Sequence, residues 1–178
     1  SETLESFLGE VVLNLVKIKN DYEKSNDKIV YLNAIKNITG NILSDDELVT
    51  LTSISDNEFV KKLRDIFEQK HQERVKLIGV SENNNIEKRI FLQIIDFSWR
   101  SHLQYLEQLR QVIGLRSYGQ KDPLSEFKKE AFVLFEGLLQ KIKNDVIKFL
   151  LNLNIVIKNQ EEEIAEKQSL TQNKKIGR

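Results

Sequence analysis

The chain contains two long runs in which apolar residues recur every three or four positions. The first run ends near Gly114, and the second begins after Pro123. Such spacing places the apolar side chains on one face of a helix. Two such helices joined by a short loop predict an antiparallel hairpin, with arms on the order of 45 Å long. The apolar positions are Phe91, Ile95, Trp99, Leu103, Leu106, Leu109 and Ile113, followed by Phe127, Ala131, Leu134, Leu138, Ile142, Val146, Phe149 and Leu153.

The connection between the two runs carries clear helix-ending and helix-starting residues. Gly114 and Gly119 lower helix propensity, so the first helix is predicted to end near Ile113. Asp122 is suited to the N-cap of the second helix, and Pro123 to its first position, where a missing amide hydrogen does no harm. The tip of the predicted hairpin then carries Arg116, Tyr118, Gln120 and Lys121.

Shorter helical segments precede the hairpin. An apolar stripe predicts a helix over residues 3–19, followed by a polar loop over residues 19–28. A short helix follows, with Ile29, Leu32, Ile35 and Ile38 on its stripe, and Gly40 can end it in a left-handed conformation.

Two serine–glutamate pairs, Ser44 with Glu47 and Ser55 with Glu58, match the capping box that starts a helix. The second pair opens a helix that is predicted to end near Gly79, and residues 81–85 are predicted to form a junction before the hairpin. The apolar stripe of this helix consists of Phe59, Leu63, Ile66 and Phe67. The pattern therefore predicts an all-α fold, with an N-terminal helix packed along the hairpin and a smaller helical wing.

Composition narrows the functional classes. The chain has 27 basic and 27 acidic residues, whereas a nucleic-acid-binding protein usually has a basic excess. It has no cysteine, which excludes disulfides and thiolate metal sites. No stretch approaches the ~20 apolar residues that span a bilayer. We therefore expect no nucleic-acid partner, and membrane attachment only through another protein.

Candidate catalytic groups are sparse. The two histidines, His71 and His102, lack a second metal ligand at helical spacing, so a structural or surface role is favoured for both. No phosphate-binding glycine motif occurs, and we predict no catalytic residue, metal site or bound cofactor. Trp99 lies on an apolar stripe, which favours a core position over ligand stacking. Arg110 and Arg116 are expected to be solvated, whereas Tyr118, at the apex, could equally be a contact residue or a solvated one.

Residues 96–103, with the sequence DFSWRSHL, resemble the D-x-x-W-x-x-H-L run of the SecA preprotein translocase family. The resemblance covers residues 91–157 and is specific, because many spaced identities fall in one register. It continues through Leu109, Arg110, Gln111, Ile113, Leu115, Arg116, Tyr118, Gln120, Asp122, Pro123, Glu126, Phe127 and Phe132.

This resemblance implies a division of the chain into parts of that family. Residues 81–157 look like the two-helix finger of the helical scaffold domain, and residues 20–80 look more loosely like the helical wing domain. Residues 1–19 would be the end of a long scaffold helix, and residues 158–178 a disordered polar tail, because they contain too few large apolar residues to form a core. The residues that match the finger's structural motif are Trp99, His102, Arg110, Asp122 and Pro123.

SecA proteins are cytoplasmic ATPases that push unfolded preproteins through the SecY channel of the bacterial plasma membrane. The resemblance implies a finger that guides or pushes the preprotein, with Tyr118 on the polypeptide and Arg116, Gln120 and Lys121 near the channel mouth. It also implies a cytoplasmic location, peripheral at the inner face of that membrane. The motor domains, which bind ATP and magnesium, the preprotein-binding domain and the cysteine-rich zinc motif have no counterpart here. The chain is therefore expected to be a C-terminal part of such a protein without ATPase activity.

One alternative stays open. A helical adaptor could bind partner helices through its apolar face and have no role in translocation. In either case an uncovered apolar stripe on the hairpin predicts self-association of the isolated chain.

Overall fold

The computed structural model describes residues 2–25, 28–40, 42–116 and 122–155. Within these residues the chain forms six α-helices and no β-strand, which confirms the all-α prediction. The helices are α1 (Glu2–Ser25), α2 (Lys28–Thr39), α3 (Asp45–Thr50), α4 (Asp56–Ile78), α5 (Val80–Arg116) and α6 (Pro123–Asn152). The predicted tail over residues 158–178 lies outside the described residues.

Helices α5 and α6 pack against each other and form the predicted antiparallel hairpin. They contain 37 and 30 residues, which correspond to lengths of about 55 and 45 Å. The boundaries differ from the prediction. Helix α5 continues through Gly114 to Arg116, and α6 ends at Asn152 although the second run of apolar residues continues to residue 157. Gly114 lowers the helix propensity of this segment. Its φ angle is not positive, however, so the helix continues through it.

The hydrophobic core lies at the base of the hairpin. The C-terminal half of α6 is surrounded there by α1, α2 and α4, and the wing and the hairpin share this one apolar cluster. The division at residues 20 and 81 therefore remains a prediction. The most deeply buried apolar residues are Tyr31, Ile35, Leu48, Phe59, Val146, Ile147 and Leu150.

The N-terminal helix packs along α6, as predicted. Glu10 forms an ion pair with Lys143, and Asn14 Nδ2 donates to Gln140 Oε1 at 3.4 Å. The predicted loop over residues 19–28 is wrong for all of its described residues, because α1 extends to Ser25 and α2 begins at Lys28. The reason is Lys19, which is only 3% exposed and continues the buried stripe by forming ion pairs.

The caps of the short wing helices behave as the sequence predicts. Both capping boxes form, and the Ser44 and Ser55 hydroxyl oxygens each accept a backbone N–H at 3.3 Å. Gly40 ends α2 with a φ of 64°. Any other residue at position 40 would collide with the side chain of Asn152, whose amide nitrogen donates to the Ile38 carbonyl at 3.2 Å. This pair fixes the end of α2 against the end of α6.

The predicted junction over residues 81–85 is wrong. These residues lie inside α5, which begins at Val80, and Gly79 alone separates α5 from α4. The break therefore occurs at a single glycine with a φ of 81°, and polar residues 81–85 form the first turns of the long helix.

Candidate functional site

The tip of the hairpin is defined by the ends of its two helices. Arg116 is the last residue of α5, and Pro123 is the first residue of α6. Three predicted contact residues, Tyr118, Gln120 and Lys121, lie outside the described residues. Six residues separate the two helix ends, and the contact role of the predicted set stays a prediction.

Asp122 starts α6 as its N-cap, as the sequence predicts. Its carboxylate accepts hydrogen bonds from the Ser125 hydroxyl at 2.7 Å, the Ser125 amide at 3.1 Å and the Leu124 amide at 3.4 Å. The hydrogen bond from the Ser125 hydroxyl is the main reason why the pKa of Asp122 is below its usual range, and the Ser125 amide adds to it. The start of α6, and with it one side of the tip, is therefore held by the aspartate and by Pro123.

A cluster of three aromatic rings lies midway along the hairpin. The ring of His102 is 5.6 Å from that of Trp99 on the same helix and 6.0 Å from that of Phe135 on α6, and the rings are tilted at 35° and 57°. His102 is buried, so its ring contributes to the packing between the two helices. The predicted core position of Trp99 is wrong, because 45% of this residue is exposed.

Arg110 lies on the exposed outer face of α5, as expected. Its guanidinium donates to Glu107 at 2.8 Å, one turn earlier on the same helix. The hydrogen bond from Arg110 lowers the pKa of Glu107. Exposed pairs of this kind contribute little to stability.

Two adjoining grooves run along the side of the hairpin, with volumes of about 430 and 370 Å³. They share Phe97, Ser98 and Lys141. Among the described residues, the buried hydroxyl of Ser98 has no hydrogen-bond partner. The hairpin also exposes many large apolar residues, namely Phe97, Leu103, Tyr105, Val112, Leu124, Phe132, Val133, Phe135 and Leu139. A surface of this kind is typical of a protein-binding face.

Sequence reasoning missed a buried polar cluster at the base of the hairpin. Arg74 on α4 is 3% exposed and donates to Asn83 and Glu87 on α5, at 3.2 Å in both cases. Asn83 Nδ2 also donates to Glu87 Oε1 at 3.0 Å. His71 Nδ1 lies 2.9 Å from the same carboxylate oxygen. A third donor of Arg74 reaches the backbone carbonyl of Leu150 on α6 at 2.7 Å.

The charge of Glu87 is stabilised by this cluster. Burial alone raises the pKa of Glu87. The hydrogen bonds with Asn83, His71 and Arg74 lower it by a larger amount, so the pKa of Glu87 is below its ordinary value. The carboxylate therefore remains ionised beside the guanidinium, and the cluster is a hydrogen-bonded ion pair with its partners in place.

Helical spacing is the signal that could have revealed the cluster. Arg74 lies seven residues after the buried Phe67, and Glu87 lies seven residues before the buried Ile94. The buried stripes of α4 and α5 thus continue into polar residues. A search for apolar periodicity alone misses these positions, because the buried stripe is polar there.

No group of three or more histidine, aspartate or glutamate side chains in the described part of the chain could hold a metal ion. Within the same residues, no helix combines the length and the hydrophobicity that crossing a bilayer requires.

Comparisons with known proteins identify the family. The model of the SecA wing and scaffold domain matches residues 1–154. The chain is 46% identical over 152 residues to the protein translocase subunit SecA of Pelagibacter ubique, which covers 85% of this chain and 18% of the relative. It is 35% identical over 153 residues to the protein of the same name from Campylobacter concisus, covering 83% of this chain and 16% of the relative.

A third relative, the protein translocase subunit SecA of Hyphomonas neptunium, is 43% identical over 102 residues, covering 57% of this chain and 11% of the relative. The chain thus spans less than a fifth of the length of these three relatives. A search of solved structures gives no significant match. Because the family model covers nearly all the described residues, the chain belongs to the SecA wing and scaffold domain family.

Proposed function

We propose that this chain is the wing and scaffold part of a protein-translocation motor, and that the α5–α6 hairpin is its two-helix finger. In this proposal the finger guides or pushes an unfolded preprotein into the SecY channel. The observation that carries the proposal is a long, narrow hairpin, with its core at one end and a short tip at the other, in a member of this family.

The hairpin is suited to transmit a movement. Its base is packed into the shared core through α6, and an α-helix is stiff over the length of a small domain. A movement of the base would therefore displace the tip. Tyr118 offers a broad apolar face and a polar hydroxyl, so a tip tyrosine could hold many polypeptide sequences without distinguishing among them. Arg116, Gln120 and Lys121 would lie beside it at the channel mouth.

ATP hydrolysis is assigned in this proposal to motor domains outside the chain, which would bind the nucleotide and its magnesium. The chain itself would bind no nucleotide and would act as a mechanical and protein-binding element. The exposed apolar faces of the hairpin support such a role, because they provide surface against which other domains of the motor can pack. The complete motor would be peripheral at the inner face of the bacterial plasma membrane, held there through the SecY channel.

The test uses a hybrid motor in which residues 1–154 of this chain replace the corresponding segment of the Pelagibacter ubique relative. The chain contains no cysteine, so once any cysteines in the segments of the relative are replaced by serine, single cysteines can be introduced for cross-linking. We expect Tyr118→Cys to cross-link to a preprotein that is stalled during transport. Gln108→Cys, on the exposed side of α5, is the matched control and should cross-link much less.

The same hybrid tests whether transport depends on the side chain of Tyr118. Tyr118→Ala should reduce transport, whereas the thermal unfolding of the hybrid should be unchanged, because a tip residue lies far from the core. Equal cross-linking at positions 108 and 118, or full transport with Tyr118→Ala, would argue against the finger role. Transport-independent binding of the chain to an unrelated helical protein would favour the adaptor alternative.

A further inference from the structure

The bend between α4 and α5 depends on a single residue. Gly79 has a φ of 81° and a ψ of 161°, and a Cβ atom placed on it would meet nothing within 4 Å. Leu77 and Val80 are 53% and 62% exposed and Ile78 is partly buried, and none of the three belongs to the hydrophobic core. The core therefore does not hold this bend. A lone glycine in open surroundings can absorb a large change in backbone angles.

The hydrogen bonds of the buried polar cluster join residues on the two sides of this bend. Arg74 lies five residues before Gly79, and its partners Asn83 and Glu87 lie four and eight residues after it. Arg74, Asn83 and Glu87 are each at most 7% exposed, so a buried polar contact joins the two helices beside the bend. The core residues of α4 and α5, such as Phe67 and Ile94, lie further from the bend.

The same guanidinium also reaches a third helix. Leu150 lies in the last turn of α6, where backbone carbonyls have no partner within the helix, and Arg74 donates to its carbonyl oxygen at 2.7 Å. The planar guanidinium provides several donors in a fixed arrangement, which lysine does not. Arg74 therefore ties α4 both to the start of α5 and to the end of α6.

We propose that Arg74 and its partners form a latch that holds the last turns of α4 against the first turns of α5 and the end of α6. When the latch is closed, the bend at Gly79 is fixed relative to the end of α6. When Arg74 releases Glu87 and the Leu150 carbonyl, the helix ends beside Gly79 separate locally, while the buried apolar residues of α4 keep the rest of that helix packed in the core. The device depends only on residues of this chain and holds whether or not the hairpin contacts a preprotein.

The first test measures the separation of the two helix ends beside the bend. Spin labels on cysteines introduced at Lys76 and Lys88, which are exposed positions of α4 and α5 near Gly79, report the distance between the two helices. We expect one narrow distance distribution in the otherwise unchanged chain, and a broader one with additional populations in Arg74→Leu. Arg89→Leu is the matched control, because Arg89 forms an exposed ion pair with Glu82 at 3.7 Å near the same bend. The control should keep the narrow distribution.

The second test separates a latch from a general loss of stability. In Arg74→Leu, amide hydrogen exchange should become faster by roughly tenfold or more over residues 80–87. Exchange over residues 142–147, in the core part of α6, should stay within the range of the control. If Arg74→Leu does not fold, Arg74→Lys and Glu87→Gln, which keep the approximate volume, take its place. An unchanged distance distribution in the folded variants, equal broadening in Arg89→Leu, or uniformly faster exchange throughout the chain would overturn the proposal.

Discussion

Removing one hydroxyl group from the wing tests how its helices are held together. Tyr31 on α2 is 1% exposed, and its hydroxyl donates to the backbone carbonyl of Leu48 on α3 at 2.9 Å. Tyr31→Phe keeps the ring and leaves that buried carbonyl without this donor. An unsatisfied buried acceptor costs about 1–3 kcal/mol. Because the ring packing is preserved, we expect the free energy of unfolding near neutral pH to fall by about 1–2 kcal/mol.

The ionisation of the same hydroxyl makes the free energy of unfolding depend on pH in the alkaline range. Burial raises the pKa of Tyr31 to about 12, and the neighbouring hydroxyl of Tyr22 adds to the effect. A tyrosine in the unfolded chain has a pKa of about 10, so above that pH the unfolded state releases its proton first. The stabilising contribution is therefore fully present below about pH 10 and is lost as the pH rises towards 12. A difference of about two pKa units corresponds to a loss on the order of 3 kcal/mol.

Urea unfolding followed by circular dichroism, at several pH values between about 8 and 11, measures both effects. Lysines such as Lys19 titrate in the original chain and in the variant alike, so the difference between the two proteins isolates Tyr31. We expect that difference to shrink as the pH rises. Tyr105→Phe, at a tyrosine that is 59% exposed, is the control. It should change neither the free energy of unfolding near neutral pH nor its dependence on pH. Equal stability of Tyr31→Phe and the original chain, or a difference that does not depend on pH, would refute the reasoning.

Three further predictions concern the core, a cap and the hairpin surface. Trp99→Ala should destabilise the chain by about 1–2 kcal/mol, because removing a half-exposed indole leaves no closed cavity, whereas Phe59→Ala, in the core, should cost about 3–5 kcal/mol. Thermal melts that give the opposite order would contradict the exposure of Trp99. Ser55→Ala removes the N-cap of α4 and should cost about 1 kcal/mol in chemical unfolding, and an unchanged midpoint would contradict this. The isolated chain should associate in sedimentation experiments at high concentration, and Phe132→Lys, at a residue that is 61% exposed, should weaken the association; a chain that stays monomeric at all concentrations would contradict it.

The parts of the fold that sequence could predict share a physical basis. Long amphipathic helices repeat their pattern many times, so the hairpin is visible without any knowledge of its partners. Capping boxes and the glycine that ends α2 depend only on residues close in sequence, and these features form as predicted. The start of α6 could be predicted for the same reason, since Asp122 and Pro123 act locally there.

The parts that sequence could not predict depend on contacts between distant residues. Lys19 is buried and pairs with Asp56, 37 residues away, as well as with Glu23 on its own helix, so α1 continues where a polar loop was expected. Trp99 lies on an apolar stripe, but its exposure depends on how much of that stripe the other helix covers. The cluster of Arg74, Asn83 and Glu87 is polar in sequence and buried in the fold, and only its position on the continued buried stripes of α4 and α5 distinguishes it from a solvated face.

The unequal distribution of apolar contacts along the molecule explains why the hairpin has so much exposed apolar surface. At the base, α6 is covered by α1, α2, α4 and α5, and residues such as Val146 and Leu150 are fully buried. Further towards the tip, each helix of the pair is covered on one side only, because a helix has a wide apolar stripe and a single neighbour covers part of it. Phe97 and Phe132 therefore remain exposed although they belong to regular helices. Any partner that packs on these faces, including a second copy of the chain, would compete for the same surface, so self-association of the isolated chain should decrease when that surface is covered in a complete motor.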